Sequence, residues 1–407
     1  MLKNLLDACG GALGYWSIGF AIAYGDGAFI GTSTERFFLN DYTESGAMYI
    51  DFFFQFAFAA TAATIVAGTI AERCKMEAYL LYSIFLTAFV YPVIVHAVWN
   101  GEGFLCAWAE KPLGGTGMLD FAGSGVVHMT GGCTALVAAI ILGPRLGRFY
   151  DAEGKPLAEP KDFAPHSVAL QVLGTFILWF GWYGFNPGST LVIEGSGKIT
   201  GLCAVTTTLS AAAGCVSALF IDTLMGKASS GHAEYDLTMA MNGALGGLVG
   251  ITANCNCVAP WAAVLIGIIS GVVYVFSSKL LVKLRIDDAV DAVPVHFFCG
   301  IWGCIATGLF CEPGRSGGVK GLFYGGGALL GVEIAGILFI IAWTGVLMGI
   351  FFTILNALGI FRVDEMEEKV GLDISHHKGA AYDLSKADQA DLDNLAEKRS
   401  NHGNAIA

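Results

Sequence analysis

Two parts of the chain repeat one arrangement of ionisable residues. Asp120 precedes His128 by eight residues, Asp288 precedes His296 by eight, and a glycine follows each histidine at the fourth position. Each histidine lies within a long apolar run, and ionisable side chains at membrane depth usually face a pathway or a partner. Two imidazoles that meet can share a proton. The matched placement therefore predicts that the two histidines meet at the centre of a duplicated fold.

The composition indicates that these motifs lie in membrane helices. Hydrophobic residues make up 55% of the 407 residues, charged residues 14%, and the mean hydropathy is +0.63. A soluble domain has about 25% charged residues. The formal net charge is −12, of which −4 lies in residues 361–407, where ten acidic residues accompany six basic ones. No basic stretch typical of nucleic-acid binding is present. The eleven cysteines include no Cys-x-x-Cys pair, so we expect packing roles for them and no metal or other cofactor.

Hydropathy predicts an all-α polytopic membrane protein. Ten apolar stretches of about twenty residues are long enough to cross the hydrocarbon core. They run over residues 8–30, 48–71, 78–98, 121–143, 166–187, 199–220, 235–254, 259–278, 294–311 and 333–359. These spans form a transmembrane domain of residues 1–360, which a tail of residues 361–407 follows. The loops on the side of the N-terminus hold eleven lysines and arginines and the opposite loops hold five. The positive-inside rule therefore places both termini in the cytoplasm.

The two histidine motifs have opposite orientations in this topology. Asp120 precedes the fourth span, which runs inward, and Asp288 precedes the ninth, which runs outward. Inverted repeats with a site between them are typical of transporters. The pattern predicts inverted five-helix repeats plus a final C-terminal helix, with the first repeat lacking its first helix.

Several strings in the chain match, in order, the motifs of one protein family. They are residues 120–128 (DFAGSGVVH), 54–58 (FQFAF), 70–73 (IAER), 181–189 (GWYGFNPGS) and the acidic pair 287–288 that leads to His296. With these motifs the chain resembles the ammonium transporters of the Amt/Mep/Rh family over about residues 1–382. Residues 371–382 (GLDISHHKGAAY) are similar to the tail of the plant-type Amt branch. The family has eleven spans, so the resemblance implies that the first is missing here. Ala289 and Pro294 depart from the family's pattern.

The resemblance implies a function and a set of site residues. It implies that ammonium, with methylammonium as an analogue, crosses the bilayer through a homotrimer in the plasma membrane. The residues implied in substrate binding are Trp108, Ser189, Phe58, Phe185 and Asp120. Those implied in lining the pore are His128, His296, Trp182 and Gln55. An aromatic face attracts a cation, a hydroxyl accepts an N–H bond, and a dry channel penalises any ion while admitting ammonia.

Most of these residues also have a purely structural explanation. Packing, anchoring or turn roles are open to Phe58, Phe185, Trp108 and Ser189. Asp120 stands where a helix begins and is expected to cap backbone N–H groups. His96 and His166 lie near span ends and are interpreted as ordinary histidines.

The tail contains a predicted phosphorylation site, and the sequence leaves three alternative functions open. Ser375 occupies the position of a phosphorylatable threonine in the plant-type tail, so the resemblance implies a kinase that lowers transport by adding charge there. The alternatives to an ammonium transporter are a neutral gas channel of the Rh kind, an ammonium sensor that signals through its tail, and an incomplete product that does not transport. Currents evoked by ammonium would separate an electrogenic transporter from a gas channel. No nucleophile–base pair is recognisable, so an enzyme is not predicted.

Overall fold

Ten long helices account for most of the structure. The computed structural model describes residues 2–40 and 47–376, and every regular element in these two ranges is helical. The long helices are α1 (Leu2–Tyr24), α2 (Ala47–Thr69), α3 (Met76–Trp99), α4 (Ser124–Leu142), α5 (Val168–Phe185), α6 (Gly197–Ser230), α7 (Leu237–Thr252), α8 (Pro260–Lys283), α9 (Val293–Phe310) and α10 (Ala328–Ala357). Two short helices follow, α11 (Glu365–Val370) and α12 (Leu372–Ser375). Most of the predicted tail, residues 377–407, lies outside the described residues.

These helices confirm the predicted all-helical membrane fold. Among the described residues, nine helices are long and apolar enough to cross a membrane, and α7 is a shorter apolar helix of 16 residues. Several predicted boundaries are wrong: α8 ends later and α10 starts earlier than predicted, and the differences are larger for α1 and α6. α1 starts earlier and ends at Tyr24, because the loop beyond it folds back so closely that a Cβ on Gly31 would lie 2.0 Å from the Ala21 carbonyl oxygen. α6 continues to Ser230 and stops at Gly231, whose φ of +81° is the left-handed conformation that ends many helices.

The two histidine-bearing helices, α4 and α9, touch at their backbones. Each begins with a π-helical turn that contains its histidine. A Cβ on Gly132 would lie 2.4 Å from the Phe297 nitrogen, and one on Gly300 would lie 2.7 Å from the Ser124 carbonyl oxygen. These are the glycines that follow each histidine at the fourth position. Because no side chain fits at either contact, the repeated glycines determine how closely the two motifs approach.

The outer surface of the bundle is strongly apolar. Phe176, Ile177 and Phe180 on α5 are between 60% and 80% exposed. A helix that is apolar on most of its faces is stable against lipid or against another membrane subunit, and not against water. The surface therefore agrees with the hydropathy of the sequence.

Charged groups join the helix ends on the face opposite Trp108. Arg73 is fully buried and donates to the Asp287 carbonyl oxygen at 2.8 Å. Arg145 donates to the two carboxylate oxygens of Asp287 at 2.8 and 3.0 Å. The first residues after α10 join this layer through Arg362, which donates to the carbonyl oxygens of Leu142 and Pro144, both at 2.8 Å. The described part of the tail therefore packs against the helix ends of its own chain.

Candidate functional site

The two motif histidines meet, as their matched placement predicts. Nδ1 of His128 lies 3.1 Å from Nδ1 of His296, and the two rings are 17° from parallel with centroids 5.1 Å apart. One nitrogen must carry the proton of this hydrogen bond while the other accepts it. Nε2 of His128 is buried and has no hydrogen-bond partner among the described residues. The pair therefore shares one proton and leaves a polar atom available to a small solute.

An aspartate holds the start of each histidine-bearing helix. Asp120 accepts hydrogen bonds from three backbone N–H groups of the turn that follows it, at 2.8 to 3.0 Å. This is the capping role expected from its position. Asp288 accepts the N–H of Val293 at 2.7 Å and the hydroxyl of Thr69 at 2.9 Å. Burial raises the pKa of Asp120 to about 6, although the N–H groups oppose that change. The two carboxylates thus orient the π-helical turns that present the histidines.

Aromatic rings surround one side of the histidine pair. Trp182 stacks on His128 with a centroid distance of 5.3 Å and an angle of 12°, and its indole N–H donates to the Thr252 hydroxyl at 2.9 Å. Phe185 lies 5.6 Å from His128 and stacks on Phe58 with centroids 4.1 Å apart. Two phenyl rings in such contact leave no space for a molecule between them. Entry from this side therefore requires at least one ring to turn.

Sequence reasoning missed Trp99, the last residue of α3. Its ring meets the ring of Phe58 edge-on, with centroids 5.8 Å apart and an angle of 85°. Its indole N–H donates to the Asp120 carbonyl oxygen at 2.7 Å. A tryptophan at the end of a span is typical of a membrane-interface anchor. The predicted topology ends this span on the same face of the membrane as Phe58, which makes Trp99 a candidate beside Trp108 but does not choose between the two.

Trp108 and Ser189 occupy different surroundings. Trp108 is 61% exposed and lines a cavity of about 240 Å³ together with Asp120, Phe121 and Cys257. We call it the outer cavity, because the topology predicted from the sequence puts this face outside. Ser189 lies in the turn after α5, where its hydroxyl donates to the carbonyl oxygen of Phe185 at 2.8 Å. The fold therefore places Ser189 beside the phenyl pair and Trp108 at the wall of the outer cavity.

The remaining residues singled out in the sequence, Gln55, Ser375 and His96, differ in burial and in their partners. Gln55 is half-buried on α2, three residues before Phe58, and its Oε1 has no partner among the described residues. Ser375 is 8% exposed at the end of α12, and its hydroxyl donates to the Gly371 carbonyl oxygen at 2.9 Å. A kinase can reach this hydroxyl only after α12 has opened. His96, on α3, is buried with both ring nitrogens facing backbone carbonyl oxygens at 3.1 and 2.6 Å.

The chemistry of the site favours a small neutral solute beside the imidazoles. In residues 2–40 and 47–376, no three His, Cys, Asp or Glu side chains are grouped so that they could hold a metal ion. The wall nearest His128 consists of Trp182 and Phe185. A cation there would lose its hydration without gaining an opposite charge. A neutral molecule with an N–H group or a lone pair can instead form hydrogen bonds with an imidazole.

Paired histidines behind an aromatic constriction, at the contact of two inverted motifs, define the class of this protein as a channel-like helical membrane transporter. The family model described as the Ammonium Transporter Family matches residues 1–382. The chain belongs to this family, which is a family of transporters and not of enzymes.

Named relatives and solved structures agree with this membership. The chain is 45% identical to "Ammonium transporter 1 member 1" of Solanum lycopersicum over 405 residues, covering 94% of this chain and 80% of that protein. It is 44% identical to the protein of the same name in Arabidopsis thaliana, covering 94% and 78%. Among solved structures, it resembles a "Sensor Amt Protein" with a TM-score of 0.79 and 34% identity, covering 92% of this chain and 89% of that one. It also resembles Candida albicans Mep2, with a TM-score of 0.76 and 28% identity, covering 89% and 78%.

Proposed function

We propose that this chain transports ammonium across a membrane by recruiting the ion at one face and passing ammonia through the pore. One observation carries the proposal. The two imidazoles, 3.1 Å apart, lie directly behind two phenyl rings stacked at 4.1 Å. A closed aromatic pair followed by uncharged hydrogen-bonding groups suits a neutral molecule better than an ion. Relatives about 45% identical are named ammonium transporters, which supplies the substrate.

Recruitment is assigned to the residues outside the phenyl pair. The rings of Trp99 and Phe58 meet there, and aromatic faces attract a cation. Ser189 contributes a hydroxyl that can accept an N–H of ammonium. Asp120 adds a negative charge beside the outer cavity, which draws cations toward this face. Trp108, at the wall of the same cavity, meets the ion earlier on its path.

Conduction is assigned to the histidine pair and its neighbours. Ammonium must give up a proton before it enters, because the wall beside His128 offers no negative charge. The unpartnered Nε2 of His128 then binds the ammonia that passes the phenyl rings. The Nδ1 hydrogen bond to His296 gives a released proton part of a separate route, since each imidazole can accept a proton at one nitrogen and release one at the other. Trp182 and Gln55 complete the lining.

The cellular setting is also a proposal. The excess of basic residues in alternate loops supports a cytoplasmic C-terminus, with a transmembrane domain of residues 1–360 and a regulatory tail of residues 361–407 in a plasma-membrane protein. The apolar face of α5 is available to a second and third copy in a homotrimer. Phosphorylation of Ser375 would break its hydrogen bond to Gly371 and place new charge against the tail's contacts with the helix ends.

The test uses cells that lack ammonium uptake of their own. Expression of the chain should restore growth at low ammonium, and labelled methylammonium should accumulate together with an inward current. The His128→Ala and His296→Ala variants, at equal surface expression, serve as controls for the pore. Uptake without current would indicate a neutral gas channel, and absence of uptake by the correctly inserted chain would refute the proposed transport.

A further inference from the structure

Four buried cysteines gather at the end of the bundle that carries the outer cavity. They belong to one apolar cluster and are all free thiols: Cys203, Cys255, Cys257 and Cys311. Cys203 lies on α6, two of the others lie in the turn after α7, and Cys311 directly follows α9. Three separate parts of the chain thus bring sulfur atoms to one place. The transport function uses none of them.

The backbone places Cys257 and Cys311 side by side. The N–H of Glu312, the residue after Cys311, donates to the Cys257 carbonyl oxygen at 2.9 Å. The Cys311 thiol donates to the Val319 carbonyl oxygen at 3.8 Å, and each of the two thiols shifts the pKa of the other. The Cys257 thiol lies 3.5 Å from the Asn254 carbonyl oxygen, which fixes its direction further. Cys257 and Cys311 are therefore neighbours although they lie 54 residues apart in the chain.

Access and acidity distinguish the roles of the two thiols. Cys257 lines the outer cavity of about 240 Å³ but is only 2% exposed, so a reagent must enter this cavity to meet its thiol. The pKa of Cys311 is lowered, mainly by the neighbouring Cys257 thiol; burial opposes this change, and Ser316 adds to it. A thiol with a lowered pKa supplies more thiolate, which is the nucleophile in disulfide exchange.

We propose that Cys257 and Cys311 form a redox-active dithiol in the wall of the outer cavity, which a small disulfide oxidises to an intramolecular disulfide bond. The Cys257 thiol, whose pKa is raised mainly by Cys311, passes its proton to the Cys311 thiolate as its sulfur attacks the small disulfide. This forms a mixed disulfide on Cys257 and releases one small thiolate, which takes the proton from Cys311. Cys311 then attacks the Cys257 sulfur and displaces the second small thiolate. Overall the dithiol loses two protons and two electrons, and the small disulfide gains both and becomes two thiols.

The other two cysteines provide a matched control. Cys203 and Cys255 are also neighbours, because the Thr206 hydroxyl donates to the carbonyl oxygens of both, at 3.2 and 2.8 Å. Neither is among the residues that line the outer cavity. The two pairs have the same chemistry and differ in access, so only the first should react with a reagent in solution.

The experiment oxidises the purified protein with cystamine, a small cationic disulfide. After an acid quench, the protein is unfolded, alkylated and digested without reduction, and its peptides are identified by mass spectrometry. We expect a peptide pair joined through Cys257 and Cys311, while Cys203 and Cys255 are alkylated. In the Cys311→Ser variant, Cys257 should instead retain a cysteamine adduct, whereas Cys255→Ser should still form the joined pair.

The wild-type result decides the proposal even if a variant does not fold. Full alkylation of Cys257 and Cys311 after oxidation, or a cysteamine adduct that persists on Cys257 in the wild-type chain, would overturn it. Equal oxidation of Cys203 and Cys255 would overturn the assignment to the cavity wall. Because bond formation is read chemically, the outcome is independent of whether the protein transports ammonium.

Discussion

Replacing Gly132 with alanine tests whether the histidine pair depends on backbone contact between the two repeats. The added Cβ would lie 2.4 Å from the nitrogen and 2.8 Å from the Cα of Phe297, the residue that follows His296. Ordinary contacts of this kind are about 3.5 Å or longer, so α4 and α9 must separate by about 1 Å. Both colliding atoms belong to the backbone, and no side-chain rotation can relieve the clash.

The displacement is large compared with the tolerance of the hydrogen bond between the histidines. Added to the present 3.1 Å, it would carry the two Nδ1 atoms beyond the ~3.5 Å at which such a bond is lost. Overpacking costs about 1–3 kcal/mol, and leaving buried polar nitrogens unpaired costs about 1–3 kcal/mol. If about 1.4 kcal/mol of this appears in the rate-limiting barrier, methylammonium uptake should fall about tenfold.

The assay is initial methylammonium uptake at matched surface expression, with size-exclusion profiles to verify folding. Gly345→Ala is the control, because a Cβ on Gly345 of α10 would lie 3.9 Å from its nearest neighbour, the Cys133 sulfur. That variant should transport like the wild type. Wild-type uptake by a correctly folded Gly132→Ala protein would refute the idea that this contact positions the histidines.

Four further predictions follow from the site and the tail. His128→Ala should abolish selective conduction or admit larger cations, because it removes the hydrogen-bond partners beside the phenyl pair; currents carried by ammonium and potassium would reveal a change, and unchanged selectivity would contradict the pore assignment. Trp99→Leu should weaken apparent ammonium affinity more than Trp108→Leu, because Trp99 contacts the aromatic constriction; the reverse order, measured as half-saturation of uptake, would restore Trp108 as the principal ligand. Because the pKa of Asp120 is raised to about 6 by burial, its charge is present above that pH and lost below it. Uptake should therefore decline as the pH falls from about 7 to about 5, with a midpoint near the pKa of Asp120. A flat profile would argue against a role for this charge. Ser375→Asp should lower transport and Ser375→Ala should leave it largely intact, since only the former adds charge at the end of α12; equal uptake by both would indicate a serine without regulatory function.

The membrane class, the helical fold and the meeting of the histidines could all be predicted from the sequence. The length of an apolar run can be read along the chain without knowledge of the fold, so hydropathy alone predicted ten helices. Asp120 and Asp288 each precede a histidine by eight residues. Because an odd number of membrane crossings separates these two motifs, the second is inverted relative to the first, which predicted that the histidines meet. Hydropathy did not predict the end of α6. This helix continues beyond the apolar stretch to Ser230 and ends only where Gly231 adopts a left-handed conformation.

The tertiary structure decided which residues are actually neighbours at the pore mouth. Trp99 and Trp108 are nine residues apart and both follow the apolar part of α3, so the sequence does not indicate which one meets Phe58. The fold directs Trp99 onto that ring and leaves Trp108 61% exposed. Likewise, the sequence contained the cysteines but not the pairing of Cys257 with Cys311. Such contacts depend on how loops from distant helices return to the same place. Hydrophobic burial stabilises such contacts, and it depends on the area removed from water and not on direction. It therefore leaves no periodic pattern in the sequence from which the contacts could be predicted.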